Sequence, residues 1–383
     1  MRLWQGLRGK RNLHQLFAVA LTVCCLFLFP GCQTSKHAGP VASVEHVGVL
    51  AGFPEGKEAS PGRKLFFEPS ALIQSGDAVL IANDKLLADL SPVLSVPLKE
   101  FSKDYIGSAD VTYLHADVFQ HSSKLESLAA SARWGFAATD FDRMLADSPE
   151  EDTYNNLIAW PTGQPEAARI VCPSERGGVV SSRELRASFI RALKSPRYPN
   201  GPPYFKIEAL ASPNARSLIF GVREIGTNYE HQEYCFILVE ATINEAATNG
   251  VTIGRSFRKL LDFHPVMPGK PKMKLGLSSL EFDPELQVFV GVTSYEENDK
   301  IGACLWVFTA TDLVEHKPPR LVRNAAGEPL FLPHKAEGLV ALGDRRFLLI
   351  CDDDQILKPV GAGPDARIRK PNEAVFYTIR LGL

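Results

Sequence analysis

The sequence predicts an all-β protein, a single β-propeller of five blades with a helical insertion. Three observations predict it. One hairpin pattern recurs five times, the two chain ends each offer a lone strand, and the composition is rich in turns. The 383 residues include 29 glycines and 27 prolines and carry a formal charge of −2. A near-neutral chain of this kind offers no basic surface for nucleic acid and no charged tail for disorder.

The recurring pattern begins at Ser70, Glu126, Glu208, Ser278 and Glu337. Its copies read SALIQSGDAVLIANDK, ESLAASARWGFAATDFD, EALASPNARSLIFGVREIG, SSLEFDPELQVFVGVTSYEEN and EGLVALGDRRFLLICDDD. Each opens on Glu or Ser, then a small residue, then leucine. A turn of Gly, Asp, Pro or Asn follows, then a second apolar strand that ends in polar residues. The repeat length, roughly 55 to 80 residues, suits a blade of four strands. Third and fourth strands are visible in EYCFILVEAT with GVTIGRSFRKLLDF, and in GACLWVFTATDLV with PPRLVRN.

The last unit has one further strand, EAVFYTIRL (Glu373–Leu381), and the mature N-terminus offers VASVEHVGVLAG (Val41–Gly52). Pairing these two closes the ring and leaves no free sheet edge. A sixth blade is the alternative for the long gap between units two and three. That gap instead reads as a helix, SSRELRASFIRALKS (Ser181–Ser195). Ser181 and Glu184 have capping-box spacing, and Leu185, Phe189, Ile190 and Leu193 fall at helical intervals.

Residues 1–31 read as a signal peptide, 32–40 as a tether and 41–383 as the propeller. Arg2, Arg8, Lys10 and Arg11 precede the apolar run Leu16–Phe29, and Gly31 precedes Cys32. This resembles a bacterial lipoprotein signal. The resemblance implies lipidation at Cys32, export, and anchoring by lipid to a membrane of the cell envelope. Cys172, Cys235, Cys304 and Cys351 show no metal-binding spacing and read as buried thiols.

In a propeller the innermost strands line a central channel, so equivalent residues converge on one axis. Ser70, Glu126, Glu208, Ser278 and Glu337 would form a ring. Three clustered carboxylates repel, and one keeps its proton unless a cation sits among them. Calcium, with six to eight oxygen ligands in flexible geometry, is the expected cation. The ends of the second strands supply a further polar layer: Asn83 and Asp84, Asp140 and Asp142, Arg223 and Glu224, Thr293 and Ser294, and Asp352 to Asp354. Calcium would polarise a phosphoryl or ester oxygen, Asp140 or Asp352 would take a proton from water, and Arg223 would hold an anionic group. The serine-hydrolase elbow GxSxG is absent from the sequence.

The order Ser, Glu, Glu, Ser, Glu looks like the calcium-activated nucleotidases, the soluble type of apyrase, in which the same residue order holds calcium. The match over about residues 64 to 354 extends to phytase-like and esterase-like propeller lipoproteins. The sequence departs from the nucleotidases after the second strand of unit three, where Arg223 is followed by Glu224 rather than a second arginine. The resemblance implies an exported, membrane-anchored, calcium-binding propeller that hydrolyses a small phosphorylated or ester substrate. One alternative is a non-catalytic propeller that binds a protein or glycan with structural calcium. Another is a lactonase or other ester hydrolase.

Overall fold

The structure, a computed structural model, describes residues 39–383 apart from 88, 247–249, 298–299 and 362–365. The signal segment, Cys32 and most of the tether lie outside the described residues. Five antiparallel sheets follow one another along the chain. Blade one comprises Pro69–Ser75, Ala78–Asn83, Val93–Pro97 and Thr112–Tyr113. Blade two comprises Leu125–Ala130, Trp134–Thr139, Leu157–Pro161 and Arg169–Ile170. Blade three runs Tyr204–Asn214, Ser217–Gly226, Gln232–Ala246 and Arg258–Phe263, and Gly250–Ile253 pairs with the end of its third strand. Blade four runs Gly276–Asp283, Val288–Glu297, Lys300–Thr309 and Arg320–Leu321.

Blade five takes Ala336–Gly343, Arg346–Cys351 and Glu373–Gly382 from the end of the chain and Val41–Ala51 from its beginning. The two end strands pair antiparallel from Val41↔Gly382 to Ala51↔Glu373. The ring is therefore closed by the pairing that the two lone strands predict, and hydrogen bonds replace two free edges.

The core is divided among the five blade interfaces. Ile73 and Leu128 belong to one apolar cluster, Ala138 and Phe220 to the next, then Phe236 with Phe289, Val290 with Leu349, and Ile350 with Ile81. The Leu of each opening tripeptide sits in these clusters as Leu72, Leu128, Leu210, Leu280 and Leu339. The small residue before it is required by the adjacent blade. A Cβ on Gly338 would lie 2.8 Å from Cγ of Leu72, so even alanine would push blades five and one apart.

Between blades two and three lie a short hairpin, Ser174–Arg176 with Val179–Ser181, and the helix. No sixth blade is present among the described residues. The helix spans Arg186–Ala192, preceded by a 3-10 turn at Arg183–Leu185. The expected capping box does not form. Ser181 ends a strand, its hydroxyl accepts the Arg183 N–H, and Glu184 instead accepts from Arg255. The apolar face is as predicted: Leu185, Phe189 and Leu193 are buried and Ile190 packs beside them. Phe189 stacks edge-on against Phe220 and Phe257, at centroid distances of 4.9 and 4.8 Å. The thiols of Cys172, Cys235, Cys304 and Cys351 are free, and the last three are buried.

Candidate functional site

Every ring residue sits on a β-bulge. The pairing of first and second strands skips Ser70, Glu126, Glu208, Ser278 and Glu337 in turn. A bulge breaks the strict in–out alternation and re-aims a side chain. It turns these residues toward the axis while the neighbouring leucines stay between blades. The result gathers the acids as expected. Carboxylate oxygens of Glu126, Glu208 and Glu337 lie within 4.8 Å of one another, and all three residues are buried.

The two serines have a different task. Ser70 donates its hydroxyl hydrogen to the Leu125 carbonyl and Ser278 to the Ala336 carbonyl, the latter at 3.0 Å. Those carbonyls directly precede Glu126 and Glu337. Each serine thus ties its blade to the next at the ring.

The carboxylates are not left to repel one another. Lysine stands two residues before each of the three glutamates, as Lys124, Lys206 and Lys335. Together with Arg223 these lysines form an alternating chain of charges around the channel. Asp140 meets Lys124 at 3.1 Å, and Lys124 meets Glu126 at 3.4 Å. Lys206 contacts Glu126 at 3.3 Å and also contacts Glu208. Arg223 is 3.7 Å from both Glu208 and Glu337. Lys335 closes the series, 3.3 Å from Glu337 and 2.7 Å from Asp354.

Blade four carries glycine where the others carry Lys or Glu, and the reason is steric. A Cβ on Gly276 would stand 2.8 Å from Cγ of Arg223. The arginine from blade three fills that space, donates to Ser294 Oγ at 2.8 Å and lies over the Tyr234 ring. In blade one the acid comes first, as Glu68, and the cation comes from Lys85, 3.2 Å away.

These contacts set the protonation states. Burial alone would raise Glu126, but Lys206, Lys124 and Lys85 together hold it down to about 2. Burial pushes Glu337 up to about 8, with Lys335 working against it and Glu208 adding to it. Burial likewise raises Asp140 and Asp352 well above the usual carboxylate range.

This donor set does not fit a calcium ion at the ring. Calcium takes six to eight oxygens. Here each of the three carboxylates already holds one or more cationic side chains. The positive charge that three clustered acids demand is supplied by the chain itself.

The second strand ends form the layer above, in register with the first. Asp84, Asp140 and Asp352 donate their backbone N–H to the carbonyls of Glu68, Lys124 and Lys335, while Glu224 pairs with Lys206 and Ser294 with Gly276. Of the expected catalytic residues, Asp140, Arg223 and Asp352 are all buried, and none of them lines a described cavity at this mouth. Asn83 accepts the Glu68 N–H, and Thr293 accepts from Trp306. Asp142 pairs with Arg143, and Asp353 with His334 at 2.5 Å. Asp354 is half-buried and accepts from Lys335.

A cavity of about 570 Å³ opens to solvent at this mouth beside blades one and two. Its charged lining is Arg63, Lys64, Lys85 and Lys124 against Glu68 and Asp84. Burial raises the Glu68 carboxyl, with Lys85 only partly opposing it. Lys124 holds a left-handed backbone, φ 58°, a costly conformation for a side chain-bearing residue and one that clusters at functional sites.

A closed ring of five blades around a self-neutralised channel defines the chain as a five-bladed β-propeller. It matches no protein-family model, and no curated protein is similar to it. Among solved structures it is similar to the PQQ-bound aldose sugar dehydrogenase of Streptomyces coelicolor, with 12% identity, a TM-score of 0.40, and coverage of 90% of this chain and 99% of that one. It is also similar to an α-L-arabinofuranosidase of Podospora anserina, with 9% identity, a TM-score of 0.38, and coverage of 88% and 97%. A glycosyl hydrolase of Bacteroides ovatus is similar at 11% identity and a TM-score of 0.34, over 82% and 83% of the two chains. Likenesses at this level assign no activity.

Proposed function

We propose that the mouth cavity is the active site of a hydrolase acting on a small anionic ester, phosphorylated or carboxylated. The observation that carries this reading is the cavity lining. Four cationic side chains face two acids, and one of the acids, Glu68, is a buried carboxyl with a raised pKa. A base whose pKa moves toward the working pH is better suited to proton transfer than a free carboxylate. Glu68 would take a proton from the attacking water and pass it to the leaving oxygen. Lys85 and Lys124 would face the negative charge that develops on the attacked group. Partial burial opposes the charge on Lys85, and Asp84 and Glu68 more than offset it, so it serves as a fixed cation. No step runs through a metal ion.

The lipoprotein-type pattern at Cys32 supports placing this activity outside the cytoplasm on a lipid anchor. The test is a panel of phosphomonoesters, phosphodiesters, carboxylate esters and lactones. Turnover is expected for at least one class, and Glu68→Gln should lower kcat by about 10² or more while leaving the melting temperature near that of the wild type. Absence of turnover across the panel, with retained binding of inorganic phosphate, would instead favour a binding module. Full activity in Glu68→Gln would remove Glu68 from the chemistry.

A further inference from the structure

We infer that the cavity at the end of the channel opposite the mouth is a second binding site, which takes a small organic amine in its protonated form and holds it on Glu281 and Asp283. The inference does not rest on the hydrolase reading, which concerns the other end of the channel.

Three observations carry it. The first is a break in the repeat. Three residues after each ring position the chain carries Ile73, Ala129, Ala211, Glu281 and Val340 in turn. The four apolar members are buried, at 1–5% exposure, and each packs in the interface with the next blade. Blade four alone places an acid there. Burial disfavours the charged form of Glu281, the Ala341 backbone of blade five favours it, and Asp283 again disfavours it. An acid at an apolar position costs stability, and such local conflicts mark functional positions.

The second observation is Asp283, which lines the same cavity and is 1% exposed. Its Oδ1 accepts the N–H groups of Glu285 and Leu286 at 2.8 and 3.0 Å, which fixes the carboxylate. Its Oδ2 is buried and has no hydrogen-bond partner among the described residues. A buried acceptor of this kind is costly until a donor reaches it.

The third is the charge of the lining. The cavity, of about 770 Å³, is faced by Glu281, Asp283 and Glu285, and among the described residues no Lys, Arg or His lines it. Neither Glu281 nor Asp283 has an ion-pair partner among the described residues. Ile73, Val340 and Leu342 add apolar wall. The volume lies within the roughly 300–1,000 Å³ of small-molecule sites.

Unpaired acids beside apolar wall call for a charged N–H donor on a hydrocarbon body. A protonated amine has both parts. A calcium ion needs six to eight oxygens, and here Asp283 has committed one of its two to backbone N–H groups. The cationic mouth and this anionic end therefore select ligands of opposite charge.

The test is isothermal titration calorimetry of the mature chain at pH 8.5, above the value of about 8 to which burial raises Glu281. The probes are pentylamine, cadaverine and benzylamine, with pentanol and benzyl alcohol as neutral counterparts. At least one amine should bind saturably, one per chain, and the neutral compounds should not. Glu281→Gln keeps the shape of the side chain and should bind that amine about 30-fold or more weakly, the loss that follows when one side of a buried charge pair is removed. Glu281→Val restores the kind of residue the other blades carry and should melt no lower than wild type without amine. Failure of every amine to bind, equal binding of a neutral counterpart, or full affinity in Glu281→Gln overturns the inference. A valine variant that melts lower or does not fold assigns the acid to the fold and overturns it as well.

Discussion

Replacing Arg223 by methionine tests the alternating charges at their most buried cation. Methionine keeps much of the apolar stem and removes the guanidinium that stands 3.7 Å from Glu208 and from Glu337 and donates to Ser294. Breaking a buried ion pair by deleting one partner costs about 3–5 kcal/mol when the remaining charge is left unpaired; Lys206 still contacts Glu208 and Lys335 still stands 3.3 Å from Glu337, so the cost here falls at the lower end of that range. The size of that cost depends on pH. Burial raises both Glu208 and Glu337, the latter to about 8, and Arg223 works against the rise in each. Without Arg223 both folded-state values move further up. A carboxyl whose folded pKa lies above its unfolded value contributes most at low pH and loses that contribution as pH rises toward the folded value. The variant should therefore lie closest to wild type near pH 5, well below the folded value of Glu337. The gap should widen to about 3 kcal/mol above about pH 8. Urea unfolding of both proteins at pH 5, 7 and 8.5 reads this directly, with the shift in midpoint converted through a common slope. A loss below about 1 kcal/mol at pH 8.5, or a loss independent of pH, would refute the idea that Arg223 is a charge-compensating member of the ring.

Gly276 and Glu281 supply two further tests. Gly276→Ala places a Cβ 2.8 Å from Cγ of Arg223 and 3.1 Å from Tyr234; overpacking of this kind costs about 1–3 kcal/mol, and thermal denaturation should show it, whereas an unchanged melting temperature would mean that the arginine has room to spare. Burial pushes Glu281, at the opposite end of the channel in a cavity of about 770 Å³, up to about 8. Its folded pKa lies above the unfolded value, so its contribution falls as pH rises from about 4.5 to 8; Glu281→Gln should flatten part of the wild-type decline in urea midpoint over that window, leaving the part due to Glu337, and an unaltered slope would contradict the assignment.

Much of the fold was legible in the sequence because each blade declares its inner hairpin. The Glu or Ser, small residue and leucine at Ser70, Glu126, Glu208, Ser278 and Glu337 mark the five inner strands. The unpaired ends at Val41 and Leu381 revealed how the ring closes. The helix was visible from its apolar spacing, while its start was not. Ser181 suits a cap by type but is committed to a strand, a choice made by the hairpin it pairs with.

The site was half legible. Convergence of three glutamates followed from repeat phase alone. Their compensation did not, although the signal was present: SKLES, FKIEA and HKAEG each carry lysine two residues before the acid. Three lysines each standing two residues before a converging acid pointed to paired charges at one channel. Two facts remained beyond sequence reading. Arg223 reaches across to Glu337 on a different blade, and which space it fills depends on Gly276 one blade away. The cavity at Glu68 is assembled from the segment before blade one and from the start of blade two, which share no motif.

The most direct measurement is an experimental structure of the mature chain grown in millimolar calcium. Lys206 should lie between Glu126 and Glu208, and Arg223 between Glu208 and Glu337, with no ion among the three carboxylates. Density for a calcium ion bound by these glutamates, with Lys206 displaced toward the mouth, would contradict the claim that this propeller closes its channel with its own cations.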